Sequence, residues 1–98
     1  MGVIGVIATL KVQAGKEADF EATFKGLRDK VQANEEGNLQ YDLTRSKADA
    51  QTYVIMEKYA SQAALEAHGQ TEYFKAAGPA LGAVLAGAPD IQYLDILD

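Results

Sequence analysis

The sequence contains no cysteine and no tryptophan, and only one histidine and two prolines in 98 residues. Without cysteine there is no disulfide framework, no thiolate zinc site, no iron–sulfur cluster and no cysteine nucleophile. A single histidine cannot build a multi-histidine metal centre. Positive charge is also scarce. Lysine and arginine number 9 against 14 aspartates and glutamates, a formal net charge of −5 with a pI near 4.7. No basic stripe is available to neutralise phosphates, so nucleic acid is excluded as a partner. Long apolar runs are missing too. The longest, Val3 to Leu10, is far too short to span a bilayer and lacks the basic region of a signal peptide, so no membrane association and a cytoplasmic location are expected.

What remains has the composition of an ordinary globular chain, 48% hydrophobic and 23% charged, and its length fits one domain over residues 1–98. A chain this short buries only about two-thirds of its unfolded surface, so a lone monomer is expected to be modestly stable.

Val3 to Val12 reads as a strand rich in β-branched residues and apolar on both faces. Such a strand needs cover on both sides, and in a small chain helices supply only one. After the Ala14-Gly15-Lys16 turn, Phe20, Phe24, Leu27 and Val31 recur at helical spacing within Lys16 to Asn34. They fall within about 60° of arc, a narrow apolar stripe. Gly37 marks the stop beyond that helix. Asn38 to Ser46 and Gln51 to Tyr59 alternate as strands and, being close in sequence, are expected to pair as an antiparallel hairpin. Ser61 is placed to cap a short helix from Gln62 to His68, and Thr71 a second from Glu72 to Ala77. Gly78-Pro79 is expected to break the helical region again before Leu81, Val84 and Leu85. Asp90 to Leu97 reads as the last strand.

The order β-α-β-β-α-β is that of the ferredoxin-like split unit, an α+β fold. It predicts a four-stranded antiparallel sheet with the first and third strands central and the helices on one face. Two such sheets packed face to face would bury the bare sides, so a homodimer through the sheet face is expected.

Standard phosphate loops and nucleophile elbows are absent. Glu35-Glu36 beside Gly37 reads as solvated surface at a helix end, as do Asp95 and Asp98. His68 shares a helix face with Ala64 and Leu65, which should point inward. It is either a buried histidine satisfied by a carbonyl or tyrosine, or a proton acceptor and substrate contact in a pocket between helix and sheet. Tyr73 and Phe74 follow closely, and such aromatics either pack the core or line a flat apolar site.

The chain resembles the antibiotic biosynthesis monooxygenase (ABM) family, quinol monooxygenases included, over nearly its whole length. The resemblance rests on Gly15-Lys16-Glu17 before Phe20, on Glu36-Gly37-Asn38-Leu39-Gln40-Tyr41, on Glu57-Lys58-Tyr59, and on Ala64-Leu65 leading to His68 and then Tyr73-Phe74. It implies a dimeric α/β barrel with a pocket between sheet and helices in each subunit. It also implies oxygenation of a quinol or polycyclic phenol by dioxygen, with no metal, flavin or other cofactor. By position it implies His68 as catalytic base or hydrogen-bond partner and Tyr59, Tyr73 and Phe74 as ring contacts. Asn38 and Tyr41 could contribute to substrate binding or shape the turn and core. Where many members carry tryptophan this chain has Tyr59, and a second histidine often found near Tyr73 is absent. Haem-degrading relatives use an asparagine in the first strand and a tryptophan, which this chain lacks, so haem degradation is disfavoured. A non-catalytic dimer that binds a small aromatic or assists another enzyme is the alternative reading.

Overall fold

The structure, a computed structural model, describes residues 2–97. Eight residues, Ile4–Lys11, form β1, followed by α1 (Glu17–Asn34), β2 (Asn38–Arg45), β3 (Thr52–Tyr59), α2 (Gln62–Gly69), α3 (Glu72–Val84) and β4 (Asp90–Asp95). The strands form one antiparallel sheet in the order β2-β3-β1-β4. The two most apolar strands are therefore central, as their patterning predicts. All three helices lie on one face of the sheet, the α+β architecture expected from the element order.

The core forms where the α1 stripe meets the sheet. Phe20, Phe24, Leu27 and Val31 are all buried and pack on Ala8, Leu10, Tyr41, Tyr53 and Ile55. Gly15 turns the chain into α1 with φ of +86°, a conformation that a side chain would strain. Ser61 Oγ and Thr71 Oγ1 accept hydrogen bonds from the Ala64 and Phe74 amides, the two caps that the sequence predicts. The β2–β3 turn is closed by Asp49. Its carboxylate accepts from the Gln51 amide (3.0 Å), the Thr52 hydroxyl (2.8 Å) and Lys11 Nζ (2.9 Å), and these bonds hold it down to a pKa of about 2.

The expected break at Gly78-Pro79 does not occur. α3 runs unbroken from Glu72 to Val84 with Pro79 inside it. Proline removes one helical hydrogen bond and crowds the preceding turn. Here the stripe Tyr73, Ala77, Leu81 and Val84 continues across it onto the core, and burial along that face outweighs the local loss. The far end of α3 is tied to β1, since the Gln13 amide donates to the Val84 carbonyl (2.9 Å) and the Ala86 amide to the Lys11 carbonyl (2.8 Å).

Gly37 has a different role from the helix stop read in the sequence. Its φ is not positive. Instead, a Cβ at this position would come within 2.6 Å of the Ala64 Cβ, while its carbonyl accepts from the Ala60 amide at 2.8 Å. Glycine here lets α2 settle against the α1–β2 turn. A Gly37→Val substitution is expected to push α2 away and destabilise the protein by about 1–3 kcal/mol, the usual range for overpacking, read as a lower midpoint in a denaturant melt.

Among the described residues no helix lies on the second face of the sheet. Ile7, Thr9 and Val54 are half-buried there, and Met56 and Leu94 are exposed. β4 is an edge strand with every residue exposed. Ile91 and Tyr93 point to the helix side, as partners of Ala8 and Val6, yet no helix covers them. Among the described residues no helix is long and apolar enough to cross a membrane.

Candidate active site

His68 sits in the last turn of α2, 5% exposed. Its ring is boxed by Tyr41 from β2 (centroids 5.5 Å apart), Tyr59 from β3 (5.3 Å) and Phe74 from α3 (4.7 Å). Nδ1 donates to the Glu35 carboxylate, at 3.0 Å from Oε1 and 3.2 Å from Oε2. The Tyr73 hydroxyl donates to Oε2 of the same carboxylate. An ionised carboxylate only accepts, so a ring hydrogen belongs on Nδ1, and in the neutral ring the lone pair is then on Nε2. Among the described residues Nε2 has no hydrogen-bond partner, and no side-chain nitrogen or oxygen cut off from solvent lacks one. Nε2 is therefore reached from open space.

That space is a cavity of about 840 Å³ between α2, α3 and the helix-facing side of the sheet, opening towards β4. His68, Tyr41 and Phe74 line it, together with aliphatic residues of β1 and α3. Its volume suits a molecule of several fused rings. Of the other candidates from the sequence, Tyr59 is fully buried and sits behind His68, where its hydroxyl donates to Glu57 Oε1 at 2.7 Å. Tyr73 reaches the site only through Glu35. Asn38 donates from Nδ2 to the Gln40 carbonyl (3.1 Å) and holds the bulge at the start of β2, away from the main cavity.

Glu35, read in the sequence as solvated surface, is not. Its side chain is 12% exposed and joins His68 to Tyr73; Glu36 is exposed as expected. The signal was present in the spacing. Glu35 lies four residues after Val31 and so continues the buried stripe of α1, to which its own amide is bonded through the Val31 carbonyl. Glu57 is the second residue that sequence reasoning passed over. Tyr53, Ile55, Glu57 and Tyr59 share one face of β3, so a carboxylate stands in an otherwise apolar row facing the helices.

Burial pushes the Glu57 carboxyl up to about 7; the bond from Tyr59 lowers it in part and the nearby Glu35 charge adds to the rise. Burial also raises the Tyr41 and Tyr59 phenols, with Glu57 the next cause for each. Tyr73 is pushed up to about 12 by burial and its bond to Glu35. All three phenols are thus kept protonated, as donors, near neutral pH. For Glu57 the native pKa lies above the ordinary 4.5, so its stabilising effect is full below pH 4.5 and is lost as pH rises through about 7. Between pH 5 and 8 the native protein should lose about 2–3 kcal/mol of stability that Glu57→Gln retains, seen by comparing melting temperatures across that range. Among the described residues no three His, Cys, Asp or Glu side chains converge as a metal-binding group.

The pattern of the antibiotic biosynthesis monooxygenase family matches residues 3–80. The chain belongs to that family. It is 35% identical over 68 residues to a Bacillus subtilis (strain 168) protein named "Putative monooxygenase YcnE", a match that covers 69% of this chain and 70% of that one. Among solved structures, a putative antibiotic biosynthesis monooxygenase from Caulobacter crescentus CB15 superposes with a TM-score of 0.97 at 57% identity, covering 99% of this chain and 92% of that one. PA3566 from Pseudomonas aeruginosa gives 0.89 at 28% identity, covering 100% and 97%. The family pattern and these names support a monooxygenase-like function, and the family fold agrees with the β-α-β-β-α-α-β order observed.

Proposed function

We propose that this protein is a monooxygenase that oxidises a quinol or polycyclic phenol with dioxygen, using neither metal nor flavin. The observation that carries the reading is the Glu35–His68 pair, set in an aromatic box with Nε2 open to the cavity. Dioxygen is a ground-state triplet and reacts poorly with closed-shell molecules, but an electron-rich phenolate can supply the electron itself. The protein's tasks are then to remove the phenolic proton, hold the ring and exclude water.

In this reading the substrate hydroxyl donates to His68 Nε2, which takes its proton. Glu35 holds the ring in the correct tautomer and offsets the charge of the imidazolium, while Tyr73 fixes the carboxylate. Phe74 and Tyr41 contact the substrate ring; Tyr59 holds the far side of His68. The phenolate gives one electron to dioxygen, the resulting pair combines at a ring carbon, and the hydroperoxide expels water. The phenolic O–H, a ring C–H and O2 thereby become two carbonyls and one water, the proton held by His68 leaving with that water and all four electrons coming from the substrate. In a panel of hydroquinones, oxygen uptake and product formation should depend on the protein and stop without oxygen. Equal product rates in aerobic and anaerobic incubations would overturn the proposal.

The active form is proposed to be a homodimer joined through the bare sheet face. Ile7, Val54, Met56 and Leu94 lie on that face without cover, and an obligate interface of this kind buries roughly 2,000 Å² or more. Sedimentation at micromolar concentration should give twice the 10.5 kDa chain mass; a single-chain species would remove the dimer.

A further inference from the structure

We infer that Glu57 sets the charge of the molecule the cavity admits, so that the site takes uncharged aromatics and rejects those bearing a carboxylate, sulfonate or phosphate. The inference rests on the cavity being the ligand site, which the proposed function also assumes, but not on oxygenation. No lysine or arginine is among the described residues lining the cavity. The neighbouring Lys58 lies on the opposite face of β3 and is exposed. At the mouth stand Glu66 and Asp95, both exposed carboxylates. Deeper in, the one potential cation is His68, and Glu35 already faces its Nδ1 at 3.0 Å. Glu57 lines the cavity from β3, opposite Tyr41 on β2. Its Oε1 accepts from Tyr59, and Oε2 has no partner among the described residues. That oxygen is free to accept from a ligand hydroxyl or to repel a ligand anion.

Glu57 is faced by Tyr41 of β2 and Tyr59 of its own strand, with the Glu35 charge at the end of α1 acting on it; β1 presents apolar Val6 beside it, and His68 of α2 lines the same cavity. None of these is a fixed cation that would favour a bound anion. An anion placed in this half-buried site meets Glu57 at low effective dielectric, where a like charge counts for more than at the surface. Since burial moves the Glu57 carboxyl up to about 7, the discrimination should strengthen as pH rises through neutrality.

The experiment is anaerobic calorimetric titration with two probes of one ring system, 2-naphthol and 6-hydroxy-2-naphthoate. At pH 8 the native protein should bind 2-naphthol at least about tenfold more tightly than the carboxylate. Glu57→Gln, which keeps an acceptor for Tyr59, should bring the ratio below about threefold, whereas Glu66→Gln at the mouth should leave it high. The native ratio should also narrow at pH 5.5, a reading that does not depend on any variant folding. Equal binding of the two probes by the native protein, or an unchanged ratio in Glu57→Gln, overturns the inference. Selective binding without oxygen uptake in a parallel turnover assay would remove the oxygenase reading and leave charge selection standing; oxygen uptake with unselective binding would do the reverse.

Discussion

Alanine at position 68 is expected to lower turnover of a phenol held in the cavity by about 10²–10⁴-fold, the usual range for loss of a positioned general base. The substrate itself should bind nearly as before, because Phe74, Tyr41 and the aliphatic wall remain. The loss therefore belongs in kcat, with KM changed little. The ring of His68 also fills space between Tyr41, Tyr59 and Phe74, so some stability is lost with it. Oxygen-electrode kinetics together with a thermal melt separate the two effects. A folded His68→Ala protein with native kcat would show that the imidazole takes no proton in the rate-determining sequence.

The second large effect is expected at Glu35, and it divides between stability and catalysis. Glu35→Ala removes the acceptor for both His68 Nδ1 and the Tyr73 hydroxyl. His68 is buried, and leaving its Nδ1 donor unpaired costs about 1–3 kcal/mol, so this variant should melt about 5 °C or more below the native protein. Glu35→Gln keeps the shape and one acceptor oxygen but carries no charge to balance an imidazolium. Its fold should largely survive while kcat falls by about 10²-fold or more. The two residues act as one unit, so adding Glu35→Gln to His68→Ala should cost little further activity. Fully multiplicative losses in kcat would mean that the two side chains serve separate steps.

Much of the fold was legible because it is written in period. The spacing of Phe20, Phe24, Leu27 and Val31 fixes the buried face of α1, and alternation in β2 and β3 gives the hairpin. The doubly apolar β1 announces its central place. Pro79 was misleading for a physical reason: local backbone preference argues for a break, and only the packed sheet reveals that one apolar stripe spans it. The candidate site was half legible. An inward His68 follows from helix geometry, but its partner is 33 residues away in sequence, and no local pattern pairs a helix-end glutamate with it. Glu35 and Glu57 look like surface charges by residue type. Their positions, one on the α1 stripe and one in the core-facing row of β3, are what mark them, and those marks gain meaning only once the cavity between the elements is seen. Tyr59 and Tyr73 illustrate the converse: sequence places them near His68, while the structure puts each behind a partner rather than at the cavity wall.

The most direct test of the account is turnover of 1,4-naphthohydroquinone under ¹⁸O2 followed by mass spectrometry of the product. One labelled oxygen in the organic product and the other in water, at a rate that collapses in His68→Ala, is the predicted result. Unlabelled quinone with hydrogen peroxide as the second product, formed equally by the native and His68→Ala proteins, would contradict it.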